Sequence, residues 1–168
     1  MNVFFVETTV RWSDLDANMH LANASYMNFT SFARIAYLRH FGIRLKNLSE
    51  WKIGPAILRE EFSFFKEARE GQEIIITVEQ TGISQKGEMF EFKHNLYDKQ
   101  SGNHLAASQL FGVWFSMDKR KITLPPTEMF DKLIQAVDLN SARKLSMNDL
   151  KKLPLKPQNI DPKYFQNA

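Results

Sequence analysis

One change of period divides this chain. Tyr26, Phe29, Ala33, Ala36, Tyr37 and His40 or Phe41 recur at three- and four-residue steps, the stripe of an amphipathic helix that starts at Asn23. After Gly54-Pro55 the pattern becomes strand-like, in runs at 56–65, 73–81, 88–98 and 104–116. Phe90, Phe92, His94 and Leu96 alternate there with Glu91, Lys93 and Asn95, one buried and one wetter face. The breaks between runs are short turn sequences: Arg69-Glu70-Gly71, Gln85-Lys86-Gly87 and Gln100-Ser101-Gly102-Asn103. Breaks this short join antiparallel neighbours, because parallel strands need a long crossover. One helix beside such a sheet is an α+β arrangement, with the sheet able to wrap the helix.

The flanking segments complete the order. Residues 3–12 have the Val, Phe and Thr content of a strand, and residues 13–22 form a polar loop. Gly42 stands where a helix ends in a left-handed residue, residues 45–51 suit a short second helix, and Gly54-Pro55 is expected to break it. Pro125-Pro126 closes the strand region and residues 129–137 have helical spacing. Two parts follow: a main domain over residues 1–127, and over 128–168 a C-terminal helix with a basic tail packed on or extending from it.

Charge and composition exclude several functions. Residues 141–168 hold six basic residues and two acidic ones, which leaves the first 140 residues with 16 basic and 17 acidic. A near-neutral body argues against nucleic-acid binding. The tail reads as a solvated extension; a sharper reading is that its lysines meet a phosphate-bearing ligand. With no cysteine there is no disulfide, thiol nucleophile or thiolate metal site, as suits a reducing compartment. The longest apolar run, residues 110–115, cannot span a bilayer, and a cytoplasmic protein is expected. His20, His40, His94 and His104 lack metal-ligand spacing, and the glycines form no phosphate or dinucleotide loop. No metal and no cofactor are expected.

The segment before the long helix concentrates chemistry. Asp14, Asp16, His20 and Asn23 fall within ten positions that end at the helix start. A helix N-terminus offers unpaired N–H groups and a positive dipole end, able to polarise a carbonyl. A nearby carboxylate can attack that carbonyl or activate water. Taken singly, Asp and Asn here also suit caps and turns, and His20 suits a hydrogen-bonded loop histidine.

The run Asp14-x-Asp16-x-x-x-His20-x-x-Asn23-x-x-Tyr26 resembles the signature of the 4-hydroxybenzoyl-CoA thioesterase-like branch of the hotdog-fold thioesterases. The likeness continues through Phe32-Ala33-Arg34, the strand at 59–65 and Gly71-Gln72-Glu73, and fades after Thr127. It implies a sheet wrapped around the long helix and a homodimer, which can pair into a tetramer, with sites at the subunit interface. It also implies hydrolysis of an acyl thioester on CoA or an acyl carrier protein. By position, Asp16 would be nucleophile or general base, and the backbone N–H near Asn23 would polarise the carbonyl. His20 would orient the loop or touch the reacting group, with Tyr26 on the substrate side. Relatives commonly have glycine where this chain has Met19, and some carry a helix glutamate where it has Thr30-Ser31-Phe32. Arg59 and Lys86 are candidates for the phosphates of CoA, though the ordinary reading, a paired strand arginine and a solvated turn lysine, comes first for each. A catalytically inactive hotdog protein that binds an acyl thioester or scaffolds partners is the alternative.

Overall fold

The computed structural model describes residues 3–160. Strand β1 (Phe4–Thr9) leads through one 3-10 turn at Trp12–Asp14 into helix α1 (Asn23–His40). Then come α2 (Leu45–Glu50), β2 (Ile53–Phe64), β3 (Glu73–Ser84), β4 (Met89–Asp98) and β5 (His104–Ser116). Helix α3 (Thr127–Ala136), strand β6 (Arg143–Leu145) and helix α4 (Met147–Lys151) complete the order. The main sheet runs β1-β3-β4-β5-β2 with every neighbour antiparallel. The breaks at 85–87 and 100–103 join antiparallel neighbours as expected, but Arg69-Glu70-Gly71 does not. Strand β2 pairs with β5, and β3 with β1 and β4, because residues 65–72 carry the chain past β5 and β4 instead of folding it back as a hairpin. Irregular registers at Ile57/Arg59, Gln80/Gly82 and Leu96/Tyr97 bend the strands. This is the hotdog fold, the sheet curved around α1.

The aromatic stripe is the face that α1 buries. Tyr26, Phe29, Ala33 and Tyr37 join Ile76, Val78, Phe92 and Leu96 in one core. Burial raises the Tyr37 phenol, which donates to Ala136 O at 2.9 Å and so ties α3 across the end of α1. Gly42 has φ +78° and ends the helix as expected. His94 is a core histidine. It lies 2.9 Å from Ser108 Oγ, and burial, with the Arg34 charge second, lowers its pKa to about 3.

Two further expectations need correction. Gly54-Pro55 does not break the chain after α2; it lies within β2. The reversal comes at Lys52, whose φ is +52°. Pro55 is tolerated because β2 is an edge strand, hydrogen-bonded on one side only. The tail is not merely a solvated extension either. Strand β6 adds to β3 in parallel at Gly82–Ser84. Leu145, Leu150 and Leu153 pack with Met89, Phe111 and Val113, on the sheet face that points away from α1. Arg143 bonds both Glu91 oxygens, at 2.5 and 3.1 Å, and Asp149 at 2.6 Å. Glu91, expected on the wetter face, is buried under it. The Arg143 hydrogen bond holds the Asp149 carboxyl at about 2. The charges Asp161 and Lys163 lie outside the described residues.

Gly112 on β5 lets a ring lie across the sheet. A Cβ there would sit 2.5 Å from Phe90 Cε2 and 3.0 Å from the Ala56 carbonyl oxygen. Gly112→Val is expected to cost roughly 1–3 kcal/mol, measured as a lower denaturant midpoint at unchanged m.

Candidate active site

The loop between β1 and α1 is held by its own polar groups. Val10 N–H donates to Gln72 O and Gly71 N–H to Val10 O, each at 2.9 Å, which ties the loop to the β2–β3 turn. Asp14 serves the structure. Its carboxylate takes Arg11 N at 2.9 Å, Nε at 3.1 Å and Nη2 at 3.1 Å, so both oxygens are occupied. The Arg11 side chain lowers the Asp14 carboxyl below the usual carboxylate range. The Asp14 carbonyl accepts Ser25 Oγ at 2.8 Å and Ala22 N at 2.9 Å, which fixes the loop to the start of α1.

Asp16 is placed differently. Its Oδ1 accepts Asn18 N at 2.8 Å and, more weakly, His20 N at 3.4 Å. Its Oδ2 has no hydrogen bond among the described residues. The turn closes through Asp16 N–H to His20 O at 2.9 Å and Met19 N–H to Asp16 O at 3.0 Å. Closure puts Met19 at φ +61°, the left-handed backbone that the usual glycine would take without strain. His20 Nε2 lies 3.0 Å from Glu67 Oε2, and Leu21 N–H donates to Ala68 O at 2.8 Å.

Helix α1 begins open. No side chain caps it, no acid stands in its first turn, and the N–H groups of Asn23 and Ala24 have no partner among the described residues. Asp16, His20, Asn23 and Tyr26 line one cleft of about 320 Å³. Its other wall is the end of β2 and the residues after it: Phe64, Phe65, Lys66 and Glu67. The Tyr26 ring meets Phe64 edge-on at 5.1 Å, and burial raises its phenol pKa. A free carboxylate oxygen thus shares a cleft with unpaired amides, the two parts that acyl transfer needs.

Arg59 and Lys86 lie outside this cleft. Arg59 pairs with Glu61 at 2.5 Å and lines a separate cavity with Glu91 and Arg143. Lys86 is exposed in the β3–β4 turn, at the opposite end of β3 from the loop. Glu67, Lys66 and the two phenylalanines were not singled out from the sequence. They lie more than forty positions from Asp16, and only the folding of the β2 end toward the loop brings them near. No group of three or more metal-ligating side chains occurs among the described residues. No helix among them is long and apolar enough to cross a membrane.

A family model described as the thioesterase-like superfamily matches residues 10–133, from the loop through most of α3. The chain belongs to the thioesterase-like superfamily. Several solved structures share the fold. A 1,4-dihydroxy-2-naphthoyl-CoA thioesterase from Synechocystis is 18% identical with a TM-score of 0.70, over 83% of this chain and 98% of its own. Staphylococcus aureus SAV2348, solved in complex with CoA, is 14% identical with a TM-score of 0.75, over 94% and 96%. The 12:0-ACP thioesterase from Umbellularia californica is 16% identical with a TM-score of 0.72, over 94% of this chain and 60% of its own. No match is found among curated proteins. Within this superfamily member, Met19 is 64% exposed, so trimming its side chain removes little packing. Met19→Gly is expected to raise stability by up to about 1 kcal/mol, the left-handed strain less the added chain entropy, seen as a higher melting temperature.

Proposed function

We propose that the chain hydrolyses an acyl thioester, carried on CoA or an acyl carrier protein, in the Asp16 cleft. The observation that carries this reading is the unpaired Asp16 Oδ2 beside the uncapped start of α1. The thioester carbonyl oxygen accepts from the Asn23 and Ala24 N–H groups, whose dipole end favours the developing oxyanion. Asp16 attacks the carbonyl carbon or takes a proton from the attacking water. The carbon–sulfur bond breaks, the thiol leaves, and the acid is released after net addition of water. His20, held by Glu67, orients the turn that carries Asp16. Lys66, on the cleft wall, suits a phosphate of the carrier.

The working unit in this reading is a homodimer joined through β2. Its support is the free edge of β2, which carries exposed Ile57, Leu58 and Phe64. A second copy also closes a cleft that one chain leaves open. Ile57→Lys is expected to shift the mass in light scattering from dimer toward monomer.

Thiol release measures the reaction directly, because the protein has no cysteine to react with the dye. Asp16→Asn is expected to lower turnover of acyl-CoA esters at least about 100-fold while leaving CoA affinity and melting temperature near wild type. Equal turnover in that variant would remove Asp16 from the chemistry. Saturable acyl-CoA binding with no thiol release from the wild type would make the protein a binder.

A further inference from the structure

The seam between α1 and β2 has an order. It opens at the cleft, where Tyr26 meets Phe64. Next comes an ion pair, Arg34 Nη1 to Glu60 Oε1 at 3.0 Å, with Thr30 Oγ1 3.3 Å from the same oxygen. Beyond it lies an apolar slot of about 190 Å³, walled by Ile35, Leu38, Ile57, Phe90 and Trp114. The pair is buried, with side-chain exposures of 12% for Arg34 and 7% for Glu60. Arg34 Nη2 also donates to Ser31 Oγ at 2.8 Å, so the guanidinium is held on two sides.

We propose that the Arg34–Glu60 pair is the specificity-determining stop of the acyl groove, and that it restricts this protein to short acyl chains or a single aromatic ring. This rests on the thioesterase reading above. From the open amides at Asn23 to Thr30 is seven residues of helix, about 10 Å. An extended chain advances roughly 1.2 Å per bond, so an acyl group of about eight carbons reaches the pair. Methylenes cannot replace the hydrogen bonds that hold the two charges, and separating the charges leaves each shielded from water without its counter-charge. A longer chain therefore stops short of the slot, although the slot itself would suit it.

The test is kcat/KM, by thiol release, for saturated acyl-CoA esters from four to sixteen carbons. The enzymes are the wild type and the Arg34→Met/Glu60→Leu double variant. Replacing both charges together by apolar groups of similar volume is expected to preserve the fold, whereas removing one leaves an uncompensated charge that destabilises it. The wild type is expected to peak at or below about eight carbons and to fall at least tenfold by twelve. The double variant is expected to gain at least tenfold on the twelve-carbon ester relative to the six-carbon one. Adding Ile35→Trp, which fills the slot, is expected to cancel that gain. A wild type equally active on eight and sixteen carbons overturns the stop, as does a folded double variant with an unchanged profile. If the double variant does not fold, the wild-type profile decides alone. Thiol release from none of the esters overturns hydrolysis itself, and the stop with it, an outcome distinct from a shifted or flat profile.

Discussion

The site depends on one carbonyl group. Asp14 O accepts both the Ser25 hydroxyl and the Ala22 amide, joining the loop to the first turn of α1. Without that junction the turn carrying Asp16 would be a free excursion from the sheet. With it, Asp16 and the open amides of α1 are held in one frame. The Asp14 carboxylate reinforces the same junction by holding Arg11 at the 3-10 turn. Two acids that look alike in the sequence are thereby separated: one has both oxygens hydrogen-bonded, the other leaves Oδ2 without a partner among the described residues.

Several polar groups elsewhere are paired, though both amide atoms of Gln80 are buried without a partner among the described residues. Arg34 and Glu60 pair at 3.0 Å where α1 crosses β2, largely shielded from solvent. His94 remains neutral beside Ser108. On the far face of the sheet, Arg143 covers Glu91 and reaches Asp149, while three leucines of the C-terminal segment cover Met89, Phe111 and Val113. That segment therefore completes the sheet from outside, where α1 fills it from within.

The architecture was largely legible because its signals are local. The period of 3.6 from Tyr26 onward, the alternation at Phe90–Leu96 and the short turns each act within a few residues. The same holds for the loop: Asp16, His20, Asn23 and Tyr26 are close in sequence, and the family motif groups them. Pro55 misled because a proline reads as a break unless the strand is known to be an edge, and edge position is a property of the whole sheet. The C-terminal segment misled because its charges read as solvated until Glu91 appears opposite Arg143.

The sequence by itself determined the main elements, the antiparallel β3-β4-β5 hairpins and the acid loop before the helix, since period, turn chemistry and spacing are written locally. Tertiary structure alone decided which carboxylate is free, what wall faces it, that β2 pairs with β5, and where a charge pair sits beside an apolar slot. Those depend on partners such as Glu67 for His20 and Glu60 for Arg34, which lie 47 and 26 positions apart and meet only when the sheet closes on the helix.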